Sequence, residues 1–170
     1  LAGWAKDVIV HEAQVGAPLS ARFDREGHPA LMYYNEAEAA LNYVTRDGAA
    51  WSSETLPLDS LAGHNFMGAA LDLSSVGDPR IVYGAAQRFY ETRKFDGGWS
   101  NDLIRSFESV PSTAPNVGDI RMALDSKGDP HVVYFYGEGG DMFYSHRVGS
   151  LGFRKSSKAE SQAKTPWSPF

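Results

Sequence analysis

Pro29, Pro79 and Pro130 recur at spacings of 50 and 51 residues, and so do Tyr33, Tyr83 and Tyr134. They belong to three copies of one pattern: "FDREGHPALMYY" (Phe23–Tyr34), "LDLSSVGDPRIVYG" (Leu71–Gly84) and "LDSKGDPHVVYF" (Leu124–Phe135). Each copy has an apolar residue and Asp, a turn ending in Gly-His-Pro or Gly-Asp-Pro, and an apolar run closing on Tyr. A second half repeats as well. "YVTR" (Tyr43–Arg46), "YETR" (Tyr90–Arg93) and "YSHR" (Tyr144–Arg147) share Tyr-x-x-Arg, and the bulky aromatics Trp51, Trp99 and Phe153 follow. A unit of about 50 residues that recurs in this way must bury its apolar faces against its own copies. That requirement limits the fold more than any local feature does.

Each unit reads as four short β runs. Two flank the Gly-x-Pro turn, the third carries Tyr-x-x-Arg, and the fourth starts at the aromatic. Aromatic and β-branched residues punctuated by Gly, Asp and Pro every ten or so positions support strands. "NEAEAALNYVTR" (Asn35–Arg46) has local helix propensity, but its counterparts "AAQRFYETR" and "GEGGDMFYSHR" lack it, so strand is expected there. The start of the chain carries only the tail of the pattern, "GWAKDVIV" (Gly3–Val10) matching "GWSNDLIRSF" (Gly98–Phe107). Four antiparallel strands per unit is the pattern of a β-propeller blade. The expected fold is all-β, with three four-stranded blades over residues 17–60, 66–110 and 119–162 and a lone outer strand over 3–12. The propeller segment spans residues 1–162, and 163–170 form a tail. Three blades cannot fill a circle that takes about four to eight. An incomplete ring is therefore expected, completed by further copies in a homo-oligomer or by the remainder of a longer chain.

With 42% hydrophobic and 22% charged residues the chain can build a core. Its net charge of −5 gives no general attraction to nucleic acid or to anionic membranes, and no apolar run is long enough for a membrane-spanning helix. No cysteine is present, so disulfides and thiolate metal sites are excluded.

"TRDGAAW" (Thr45–Trp51) and "KFDGGW" (Lys94–Trp99) resemble the Asp-box of sialidase-like propeller repeats, in degenerate form. The third copy, "RVGSLGF", lacks the Asp. The resemblance implies a propeller and gives Asp47 and Asp96 a role as turn fasteners. It does not carry catalysis over. Sialidases draw an arginine triad, a Tyr–Glu pair and an Asp from several blades, whereas Arg46, Arg93 and Arg147 here fill one repeated slot and are expected to be structural.

The five histidines, His11, His28, His64, His131 and His146, show no metal-ligand spacing, and no cofactor or metal is expected. His28 suits a turn, "GEGGD" (Gly137–Asp141) reads as a loop, and "AKTPWSPF" as a linker or strap. The formulaic turns lie on one face of a propeller and the divergent loops on the other, and divergent loops are free to specialise. The candidate binding face therefore carries Tyr34, Asn35, Glu36, His64, Asn65, Arg88, Asn116, Tyr136, Glu138 and Asp141. The expected function is a non-catalytic module that recognises a glycan or a protein, in a secreted or cell-surface setting. Two alternatives are part of a sialidase-type glycoside hydrolase and an architectural segment of a larger protein.

Overall fold

The computed structural model describes residues 3, 5–10, 15–58, 66–85, 88–106, 118–136, 141–147 and 153–154. Among the described residues there are twelve strands and no helix. β1 (Val15–Phe23), β2 (Pro29–Asn35), β3 (Ala40–Asp47) and β4 (Ala50–Thr55) form the first sheet. β5 (Phe66–Leu73), β6 (Pro79–Ala85), β7 (Arg88–Phe95) and β8 (Gly98–Ser106) form the second. β9 (Gly118–Leu124), β10 (Pro130–Tyr136), β11 (Asp141–Arg147) and β12 (Phe153–Arg154) form the third. Every sheet is an antiparallel meander in chain order. The segment with helix propensity is a turn over 36–39 followed by β3. The tail 163–170 lies outside the described residues.

The first turn of each unit is built the same way three times. Asp24, Ser74 and Asp125 donate their backbone N–H to the carbonyl four residues on, at 2.9–3.0 Å. Gly27, Gly77 and Gly128 adopt φ of 86°, 89° and 80°, a conformation open to glycine at little cost. A proline then opens the next strand, where its missing N–H does no harm. In the second unit the aspartate of the repeat, Asp72, lies inside β5, and Ser74 takes its place in the turn. Each first strand also carries one bulge, at Gly16/Leu19 in β1, Phe66/Gly68 in β5, and opposite Val133/Phe135 in β9. A bulge at one repeated position increases twist and bends the strand there.

β1 packs beside β5 and β5 beside β9, so the three first strands stand together. Asp72 ties them. Its Oδ1 accepts from Arg22 Nε on β1 at 3.2 Å, and its Oδ2 accepts from the backbone N–H of Leu124 on β9 at 2.8 Å. One apolar cluster (Ala30, Met32, Leu41, Tyr43 with Leu71, Ile81, Tyr83, Tyr90) fills the space between sheets 1 and 2. A second (Ala70, Val82, Phe89 with Ile120, Met122, Val132, Tyr134) fills that between sheets 2 and 3. Alternation along the strands gives each sheet a forward face, toward the next sheet in the chain, and a rear face, toward the one before. Among the described residues, 5–10 pair with no strand, so the segment expected as a lone outer strand over 3–12 joins no sheet there. A fourth strand needs a third strand to pair with, and the described chain offers none before residue 15.

Candidate functional site

Counted from Pro29, Pro79 and Pro130, the residues after the prolines (Ala30, Arg80, His131) stand opposite Thr45, Arg93 and His146. The equivalent cations are therefore Arg46, Lys94 and Arg147, which face Trp51, Trp99 and Phe153 across the final hairpins. Arg93 does not share the slot of Arg46 and Arg147, as Tyr-x-x-Arg implied. It lies on the forward face of sheet 2, near Ser100 (3.4 Å) and Asp102 (3.6 Å). The cause is a one-residue slip. The loop between second and third strands is two residues shorter in sheet 2, while the motif is displaced by three. The odd residue turns the motif onto the other face. The same offset makes Asp47 the last residue of β3 but Asp96 the first of its turn. Among the described residues, Asp24, Ser74 and Asp125 fasten turns through side chains, and Asp47 and Asp96 do not.

Between sheets 1 and 2 these positions build a compact polar cluster. Trp99 Nε1–H donates to Glu54 Oε2 at 2.9 Å, and Lys94 Nζ donates to Glu54 Oε1. The ammonium lies 5.7 Å from the Trp99 ring centre, and Tyr43 meets that ring edge-on at 5.5 Å. Lys94 holds the Glu54 carboxyl below its ordinary range, helped by the indole N–H against a desolvation cost. Burial, then the charge of Glu54, pushes the Tyr43 hydroxyl up to about 12. The Glu54 and Lys94 side chains remain 42% and 28% exposed, so solutes reach them.

A related set of carboxylate, cation and tryptophan lies behind sheet 1, joined through the cation alone. Arg46 lies over Trp51 at 5.4 Å and pairs with Asp7 at 3.1 Å. Asp7 is the sequence counterpart of Asp102, which occupies the register place of Glu54. The cluster between sheets 2 and 3 is different. Glu91 is fully buried, accepts from Arg80 at 2.9 Å, and has Arg147 within 3.5 Å without a hydrogen bond. Glu91 Oε2, which faces Arg147 Nη1 at that distance, and Arg147 Nε make no hydrogen bond. This is a closed charge network with no open aromatic beside it among the described side chains.

The loop-face candidates do not converge in what is described. Tyr34 packs on the first core cluster. Asn35 is buried and its Oδ1 accepts from the N–H of Ala37 and Glu38, so it shapes a turn. Glu36 is exposed beside Gly16, where a Cβ would collide with its side chain. Arg88 is exposed at the start of β7. Tyr136 and Asp141 are placed by their backbone alone, at facing ends of β10 and β11. His64, Asn65, Asn116 and Glu138 lie outside the described residues. Asp24, Glu26 and His28 converge within 4.8 Å, but Asp24 already accepts from the backbone N–H of Glu26 and His28 and from the His28 ring. The group is accounted for by its turn.

The repeat marks Trp51 and Trp99 as recurring aromatics but gives Glu54 and Lys94 no role. The match of Asp7 to Asp102 in the two Gly-Trp segments was the available signal.

No protein-family model matches the chain, and no curated protein matches it. Among solved structures the chain is similar to a fucose lectin from Kordia zhangzhouensis, determined in complex with methyl-fucoside. That match has 16% identity, covers 82% of this chain and 98% of the lectin, and has a TM-score of 0.50. At that identity the likeness concerns the fold.

Proposed function

We propose that the three sheets are blades of a β-propeller and that the chain is a non-catalytic carbohydrate-binding module, with sugar held at the junctions between sheets. The observation that carries this reading is the set of carboxylate, cation and tryptophan found twice, Glu54–Lys94–Trp99 and Asp7–Arg46–Trp51. A sugar has hydroxyls that need charged partners and C–H faces that need an aromatic surface, and each set offers both. Partly exposed ion pairs contribute little on their own, so sugar hydroxyls can replace the Glu54–Lys94 contact at small cost. The fold likeness to a fucose lectin makes a fucoside the first ligand to try.

Titration with methyl-fucoside and with a glycan array is expected to give saturable binding reported by tryptophan fluorescence. Glu54→Gln and Trp99→Ala should each weaken the junction 1–2 site about tenfold or more, equivalent to roughly 1.4 kcal/mol. A folded protein that binds no glycan on the array would defeat the reading. So would binding that Glu54→Gln, Trp99→Ala and Trp51→Ala all leave unchanged.

A further inference from the structure

The outer faces of the two end sheets are related in the same way as the inner faces that already pack. The forward face of sheet 1 presents Met32, Leu41 and Tyr43, which cover Ile81 and Tyr83 on the rear face of sheet 2. By register, Val133, Met142 and Tyr144 occupy the same places on the forward face of sheet 3. There Met142 is 54% and Tyr144 40% exposed, whereas Leu41 is 0% and Tyr43 5%. Phe135, the counterpart of Tyr34, is also exposed. At the other end, Leu31 and Tyr33 hold the places of Ile81 and Tyr83. With Val44, Val8, Val10 and Val15 they line an open apolar groove of about 580 Å³.

We propose that a second copy of this chain fills that groove, the forward face of its sheet 3 packing on the rear face of sheet 1 as sheet 1 packs on sheet 2. The inference rests on the propeller reading. The contact is heterologous, and such contacts close into rings when the rotation fits. Two copies would supply six blades, within the range of about four to eight that closes. Residues 5–10 already prepare the place. Asp7 reaches Arg46 as Glu54 reaches Lys94, so Asp7 stands where the fourth strand of a preceding sheet would continue past the two residues of β12. In sequence, the third unit has Ser156 where the other tails have Asp7 and Asp102, so Asp7 supplies the acid that unit lacks. The junction also completes a sugar site. Tyr144 of the second copy comes beside Trp51 and Arg46, as Tyr43 stands beside Trp99 and Lys94.

Light scattering on the full chain at increasing concentration tests this, with Met142→Glu and Phe135→Glu as variants. Both side chains are exposed in the single chain, so circular dichroism is expected to be unchanged in each. The expected mass is twice 18.6 kDa for the parent and 18.6 kDa for the variants at the same concentration. A parent that stays at 18.6 kDa throughout overturns the proposal. So does growth into open polymers, or a dimer that both variants leave intact. Sugar binding at Glu54 and Trp99 lies within one chain and should survive in the monomeric variants, so failure of either reading is seen separately.

Discussion

Asp24, Ser74 and Asp125 open the same turn, and each holds two backbone N–H groups, two and four residues on, with one side-chain oxygen. The two carboxylates and the hydroxyl do equivalent work with different chemistry. The Asp24 carboxyl lies below its ordinary 3.8 chiefly through the His28 backbone N–H, and that of Asp125 through the Asp129 N–H. A carboxylate depressed on folding stabilises fully above its unfolded value, and this is lost as pH falls through the lower folded value. The window therefore starts near 3.8 and runs below it. The double variant Asp24→Ser/Asp125→Ser should show a flatter dependence of Tm on pH below about 4. Loss at Glu54 should remain, since its depression by Lys94 is separate. Ser74→Ala should cost about 1 kcal/mol, the net value of a hydrogen bond, with little pH dependence. Parallel melting curves for parent and double variant through this range would show that the turns contribute nothing to acid stability.

Hairpin geometry decides which element-level features were legible in sequence. The Asp96–Gly97 turn has φ of 52° and 78°, both positive as a type I′ turn requires, and the Asp-Gly dipeptide announces such a turn. In sheet 1 the turn is Gly48–Ala49, with Gly48 at φ 58°, so its Asp-Gly sits one residue early. Gly97→Ala and Gly48→Ala should each destabilise by about 1–2 kcal/mol, the cost of a left-handed conformation for an L residue. Gly98→Ala, whose Cβ would meet only Phe95 O at an ordinary 3.8 Å, should be neutral or slightly stabilising. Urea unfolding of the three variants checks the turn positions, and equal losses in all three would contradict them. Strand number, order and direction were readable because turn residues and alternation state them locally. The partners of Arg46 and Lys94 were not, because a repeat aligned on Tyr-x-x-Arg hides a one-residue slip that only cross-strand pairing reveals. Glu54 was hidden for a related reason: its partners Lys94 and Trp99 belong to another unit, so no spacing within its own unit marks it.

Burial across the whole molecule follows the order of the sheets. Sheet 2 is covered on both faces, and Ile81, Val82, Tyr83, Glu91 and Thr92 are all fully buried. Sheet 3 keeps one face open at Phe135 and Met142, and the rear face of sheet 1 keeps a groove in which Leu31 is partly exposed and Tyr33 is buried. In an array where each unit touches only its neighbours, stability is close to a sum of unit and junction terms, so the end units open first. Amide hydrogen exchange on a dilute chain should therefore be slowest in β6 and β7 and faster in β2, β3, β10 and β11. Asp72 adds to the coupling, because it joins Arg22 on β1 and Leu124 on β9 through one carboxylate. Asp72→Ala should steepen the gradient by speeding exchange in β1 and β9, while β6 and β7 keep their protection. Closing a ring removes the ends. If a second copy covers both open faces, raising the concentration should slow β2, β3, β10 and β11 toward the rates of β6 and β7. The Met142→Glu chain should keep the gradient at every concentration. Exchange uniform across the three sheets in a chain shown to be monomeric would contradict nearest-neighbour coupling, and with it the origin of stability in the two junctions.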